Sequence, residues 1–247
     1  MRPINKPQAG SQITYLDSNS NSVQHTIRAN YNHYNDAKAP LAGCIGSFCS
    51  YCESKKNLGD VAVEHIAARH NGGAATAWDN FLLSCNVCNS NKGTTIVNYS
   101  DYHWPHVNNT FLSFVYDATG RVSVNPNLAG DSLVHATNLY NICKLGRYPR
   151  SGQTPSRSDF RWRKRFEVWN KAQKDLGWYQ SGILSLDDVL EDALFLGCWS
   201  VWFTVFAGED DVRRELIARF PGTEATCFDA ANHYEPIERN PGKPDPV

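Results

Sequence analysis

Cys49-Ser-Tyr-Cys52, Val63-Glu64-His65-Ile66, Trp78-Asp79-Asn80-Phe81-Leu82-Leu83-Ser84 and Cys85-Asn-Val-Cys88-Asn89-Ser-Asn-Lys92-Gly93 follow one another within a short stretch of this chain. A Cys-x-x-Cys turn brings both sulfurs to one side of a metal. Two such knuckles suit a single tetrahedral Zn²⁺, and binding of that kind contributes on the order of 10 kcal/mol or more to folding. Cys49, Cys52, Cys85 and Cys88 are therefore read as ligands of a structural zinc. The rival is four unrelated core thiols, since free cysteine is often a small buried residue. Doubled spacing argues against that. A redox pair is weaker still, because neither pair sits in a strand-to-helix redox turn. Cys44 breaks the paired spacing and reads as a spare; Cys143, Cys198 and Cys227 read as core thiols. The opening residues, Met-Arg-Pro-Ile-Asn-Lys-Pro, form no apolar run. The expectation is reduced thiols and metal in a cytoplasmic protein, rather than disulfides.

Between the knuckles, Leu58 to Ile66 is rich in Val and Ile and partly alternates, which predicts a short strand ending at Glu64-His65. Asn71-Gly72-Gly73 breaks regular structure. Asn80 to Ser84 reads as the return strand, and a helix is expected from Asn86, carrying Asn89 and Lys92. Strand, loop, strand and helix would gather His65, Asn80 and Asn89 around one hollow. Histidine is a natural base near neutral pH. Glutamate and asparagine offer hard oxygen donors to a cation other than zinc. Singly, each has a bland explanation: a histidine at a strand end is usually satisfied locally, and an asparagine before a strand is usually a turn residue. The information lies in the set.

As a set these residues resemble the HNH (ββα-metal) endonuclease family, in its version with a four-cysteine zinc knuckle, over about residues 44–100. The resemblance implies an α+β fold: a ββα-metal nuclease core with a zinc knuckle, then a mostly α-helical C-terminal region. It implies hydrolysis of DNA phosphodiester bonds, with His65 as general base. Glu64 and Asn89 would hold one catalytic Mg²⁺ or Mn²⁺, Asn80 would orient the base and brace the loop, and Lys92 would contact phosphate. One departure stands out. Many relatives carry a proline two residues after the histidine, often followed by lysine, where this chain has Ala67-Ala68-Arg69-His70. Arg69 is the candidate to replace that lysine, and His70 is open to two readings, joining the metal or, the favoured one, facing solvent. The division expected is an N-terminal extension (1–43), the nuclease module (44–100) and a helical region for support, DNA binding or docking (101–247).

The net charge of −1 conceals an uneven distribution. Residues 144–178 carry ten Lys and Arg against three Asp and Glu, whereas residues 179–247 carry five against thirteen. Within the basic stretch, Trp162, Phe166 and Trp169 recur at helical spacing and are expected in the core. Arg161, Arg163, Lys164 and Arg165 are then expected on the surface, tracking DNA phosphates. A hairpin is expected around Gly120 and a helix over 131–146. A single buried helix over Leu184 to Ala207 is expected to start at a Ser185 cap; its uncharged run is too short to span a bilayer. A further short helix is expected over Asp211 to Phe220, then a loose tail from Asn240.

No P-loop is present. The wider layout, with Cys49 to Glu53 near the front and Phe220-Pro-Gly-Thr223 and Cys227-Phe-Asp229 near the end, resembles small bacterial HNH proteins such as the nuclease subunits of Septu-type and retron-linked anti-phage systems. That resemblance implies a separate ATPase partner. Two other readings stay open: a non-catalytic zinc-knuckle module that binds nucleic acid or protein, and a toxin-like nuclease that cuts RNA.

Overall fold

A computed structural model describes residues 1–17 and 19–247. The chain opens with an antiparallel hairpin, β1 (Gln12–Leu16) and β2 (Ser22–Thr26), followed by a 3-10 turn at Tyr34–Ala37 and α1 (Lys38–Ile45). Next comes the unit that positions the site. β3 (Val61–His65) pairs antiparallel with β4 (Phe81–Cys85), Val61 opposite Cys85 and His65 opposite Phe81, and α2 (Asn86–Lys92) follows directly. Every residue of β4 is buried, so this short strand is packed on both faces. Cys85 keeps extended backbone angles at the N-cap of α2, and Gly93, at φ +54°, ends the helix. The sequence expectation of strand, loop, strand and helix thus holds, although the first strand starts at Val61, three residues after Leu58.

The remainder is mainly helical, and the architecture is α+β, with its strands in separate two-stranded hairpins. α3 (Thr110–Ser113) leads into the hairpin of β5 (Phe114–Tyr116) and β6 (Val122–Val124), with Gly120 at φ +80° in its turn. A Cβ there would lie 2.3 Å from the Trp162 carbonyl oxygen, so only glycine lets this turn rest against the following helix. Then come α4 (Gly130–Ile142), α5 (Arg161–Gln180), α6 (Leu186–Leu196), α7 (Trp199–Val205) and α8 (Asp210–Arg219), and last β7 (Phe228–Asp229) and β8 (Glu235–Pro236). One hydrophobic core, from Ile4 to Phe228, runs through the site unit and the helices alike. Buried Glu53, beside the first knuckle, accepts hydrogen bonds from the Arg2 amide and the Ser200 hydroxyl, which ties the chain start and α7 to that knuckle.

Three expectations are corrected. The apolar segment 184–207 is two helices. Ser185 and Asp188 do form a capping box at the start. The helix stops at Gly197 (φ +73°), and Cys198 is left-handed at φ +57°. Here the chain meets the knuckle loop: Cys198 donates its amide to Glu53 O, and a Cβ on Gly197 would come within 2.7 Å of the Lys55 amide nitrogen. Tertiary contact overrides helical periodicity. In α5 the inner face is Arg161, Arg165, Val168, Ala172 and Asp175, while Phe166 is exposed and Trp162 and Trp169 are only half-buried. Finally, the terminal residues are docked. Val247 is buried and its carbonyl accepts from the Asn109 amide, and Asp245 is clasped by His103, His135 and Ser132.

Candidate active site and zinc centre

The four knuckle cysteines converge. Cys49 and Cys52 come from the loop after α1, Cys85 from the end of β4 and Cys88 from the first turn of α2. All four are buried, with their sulfurs within 4.8 Å of one another. The Cys52 and Cys85 sulfurs are 3.7 Å apart. Four sulfurs at about 2.3 Å from one tetrahedral Zn²⁺ would sit roughly 3.8 Å apart, so this cage is compatible with structural zinc. Arg161 reaches in from α5, and its Nη1 donates to Cys88 Sγ at 3.3 Å. A cation there offsets the negative charge that thiolates would bring into the core.

Beside the cage lies a cleft of about 460 Å³, walled by β3, α2, the 3-10 turn at Tyr34–Ala37 and residues 68–70. Glu64, His65 and Asn89 all line it. Adjacent strand residues point to opposite faces, and the two side chains find different partners. The Glu64 carboxylate meets α2, with Lys92 Nζ 2.7 Å from Oε1. Among the described residues no group other than this ammonium pairs with that buried oxygen. Burial raises the Glu64 pKa, against the opposing charge of Lys92. Such a carboxylate oxygen, beside the half-buried Asn89 amide, is a donor set that fits a hard divalent cation.

His65 lies between Tyr34 and Phe81, each ring centroid 5.2 Å away and edge-on. Its Nε2 is 3.0 Å from the Ala75 carbonyl oxygen. A carbonyl can only accept, so Nε2 carries the proton and Nδ1 keeps the lone pair in the neutral ring. Burial lowers the His65 pKa, partly offset by the Ala75 bond, and the charges of Arg69 and Lys92 lower it further. Asn80 stands outside the cleft and holds its loop: Oδ1 accepts from the Ala67 amide at 2.8 Å, and Nδ2 donates to Ala67 O and Ala74 O, each at 2.9 Å.

Residues 49–95 match the HNH endonuclease family. No curated protein matched the chain. The matched span contains the four cysteines, Glu64, His65, Asn80, Asn89 and Lys92. A nuclease function acting on nucleic acid follows in general from this HNH module. No helix among the described residues is long and apolar enough to cross a membrane.

Around the HNH module, several expected nucleic-acid contacts lie elsewhere. Lys92 is fully buried, its ammonium used by Glu64 and by His65 O at 2.8 Å, so it faces no phosphate. Arg161 and Arg165 are buried too. Arg161 binds Asp159, Cys88, Cys143 O and Lys144 O, while Arg165 donates to Gly120 O at 2.9 Å. Their guanidinium groups satisfy loop carbonyls that the helix packs against, a use that residue spacing does not reveal. Arg163 stays on the surface, paired with Glu167, and Lys164 is half-exposed. Conversely, Tyr34, Asn35 and Lys38 line the cleft although they precede the first cysteine and carry no motif. Arg69 and exposed His70 line it as well, with the Arg69 guanidinium 5.0 Å from the Tyr34 ring centroid.

Proposed function

We propose that the cleft hydrolyses phosphodiester bonds of DNA, with His65 as general base. The observation that carries this reading is the Nε2 bond to Ala75 O, which leaves Nδ1 as the free basic atom of a ring whose pKa is lowered by burial. A neutral imidazole near pH 7 can take the proton of an attacking water. Glu64 and Asn89 would hold Mg²⁺ or Mn²⁺, which when bound supplies charge stabilisation at the phosphorus and the leaving 3′-oxygen. Lys92 opposes the effect of burial on Glu64 and so favours its ionised, ligating form. Asn80 fixes the loop that carries Ala75's neighbour Ala74, and thereby the partner of the base. Cys49, Cys52, Cys85 and Cys88 hold Zn²⁺ and set Asn89 in place through the backbone, since Cys88 precedes it.

A non-catalytic zinc module has no use for Glu64 and His65 lining the same cleft as Asn89. RNA as the substrate is the remaining alternative. Partnership with an ATPase in anti-phage defence rests on the sequence resemblance over Cys49–Glu53, Phe220–Thr223 and Cys227–Asp229, and an adjacent ATPase gene would support it.

The test is His65→Ala, purified with its zinc content unchanged. Plasmid cleavage in Mg²⁺ or Mn²⁺ should fall by roughly 10²–10⁴-fold, the usual loss of a general base. Undiminished cleavage by the folded variant overturns the assignment.

A further inference from the structure

The catalytic cleft does not end at the HNH module. Asn86, at the start of α2, lines both it and a second cleft of about 570 Å³ that Cys85 also lines. Phe160, just before α5, lines both that second cleft and a third groove of about 560 Å³. Shared lining residues thus place the three depressions in series. The second carries Lys55, Lys56 and Lys164 against Asp60. The third carries Arg150, while the other charges there are paired, Asp159 with Arg161 at 2.8 Å and Glu167 with Arg163 at 2.9 Å. Along this basic path, Phe160 is 58% exposed and Phe166 41% exposed. Two solvent-facing phenylalanines in a cationic groove suit a polyanion that also presents flat apolar faces. A duplex hides its base faces by stacking, whereas an unpaired strand offers them.

Resting on the nuclease reading of the cleft, we propose that an unpaired nucleic-acid strand flanking the cleavage position crosses the zinc knuckle, its phosphates along Lys55, Lys56 and Lys164 and its bases stacked on Phe160 and Phe166. The zinc centre indexes this track to the cleft. Arg161, the residue after Phe160, donates to Cys88 Sγ at 3.3 Å, and Cys88 adjoins Asn89. The stacking platform is thus tied to a cleft-lining residue through two peptide bonds and the hydrogen-bonded side chains of Arg161 and Cys88.

The experiment measures fluorescence anisotropy with labelled (dT)₂₀ and with a 20-base-pair duplex, using full-length protein carrying His65→Ala so that the probes stay intact. Adding Phe160→Ala and Phe166→Ala should weaken (dT)₂₀ binding by roughly tenfold or more, the scale of lost base stacking. Duplex binding should change less than about twofold, since that platform stacks only unpaired bases. Phe160→Trp, which keeps a stacking face, should bind (dT)₂₀ at least as well as the parent and guards against a folding artefact. Lys56→Ala with Lys164→Ala should flatten the salt dependence of (dT)₂₀ binding by about 0.7 log–log units per lost contact. Unchanged (dT)₂₀ binding by the double phenylalanine variant, as expected if the groove docks a protein, overturns the proposal. So does an equal loss on both probes. Failure of the nuclease reading would show separately, as cleavage undiminished by His65→Ala in the plasmid assay.

Discussion

Among the described residues, two clusters bring metal-binding side chains within 4.8 Å of one another, and they are built on different principles: Cys49, Cys52, Cys85 and Cys88, and His103, His135 and Asp245. In the first, the Cys52 and Cys85 sulfurs, 3.7 Å apart, fit the roughly 3.8 Å edge of a zinc tetrahedron. In the second, the Asp245 oxygens lie 2.5 Å from His135 Nδ1 and 2.8 and 3.1 Å from His103 Nε2. Nitrogen and oxygen ligands at about 2.0–2.1 Å from a tetrahedral zinc would stand roughly 3.3 Å apart, so these distances are those of direct hydrogen bonds. Ser132 and Ser113 complete the network at 2.7 and 2.8 Å. The cysteines form a cage with room for an ion; the histidines and Asp245 form a closed clasp on the chain's last residues. Proximity of ligand types alone does not make a metal site. The spacing between donor atoms separates the two cases.

The largest test of that contrast is to damage each cluster in turn. Cys85→Ser should cost the protein its zinc and most of its folded population, because structural zinc contributes on the order of 10 kcal/mol to folding. Elemental analysis and thermal melting read this out. Zinc retained with an unchanged melt would remove the cage from the account. No comparable metal dependence is expected at the clasp.

A matched pair on α5 sharpens the same comparison. Arg161→Met leaves Asp159 facing the core with its main partner gone, a change that typically costs about 3–5 kcal/mol. It also strips the donor from Cys88, so zinc should exchange faster with a chelator. Arg163→Met breaks only an exposed pair with Glu167 and should cost about 0.5 kcal/mol or less in urea denaturation. Similar losses from both would mean that Arg161 does not support the cage.

The smallest effect belongs to the clasp. Burial raises the Asp245 carboxyl, but hydrogen bonds from Ser132 and His135 and the neighbouring His103 outweigh it and hold its pKa below 3.8. A carboxylate with a depressed folded pKa stabilises the fold above its ordinary value, and that contribution is lost as pH falls through the folded pKa. Burial meanwhile lowers the His103 pKa below 6.5, against the pull of Asp245, so the unfolded chain gains protons first as the medium acidifies. Both groups therefore destabilise the fold on the acid side. Asp245→Asn should cost about 1–3 kcal/mol at pH 7, and its gap from the parent should narrow below about pH 4, where the unfolded chain takes up the proton that folded Asp245 resists. A gap that stays constant down to pH 3 would show that the charge of Asp245 contributes nothing.

The sequence by itself determined the parts whose physics is local. Two knuckles at fixed spacing specify the zinc cage because each turn aims its own sulfurs. The strand, loop, strand and helix between them follow from short-range pattern and from Asn-Gly-Gly as a break. The Ser185 cap is likewise local, since its partner Asp188 is three residues away. Tertiary structure alone decided what long-range packing controls. It turned Arg161, Arg165 and Lys92 inward, because loop carbonyls, Cys88 and Glu64 stand where their charged groups end. It left Phe166 outside, although the aromatic spacing of α5 predicted the reverse. It broke the 184–207 segment at Gly197, where the knuckle loop leaves no space for a Cβ. It also brought Tyr34 and Lys38 to the cleft and Asp245 to His103, 142 positions away. A helical period says which residues share a face. Which face the rest of the chain covers depends on partners that only folding brings near.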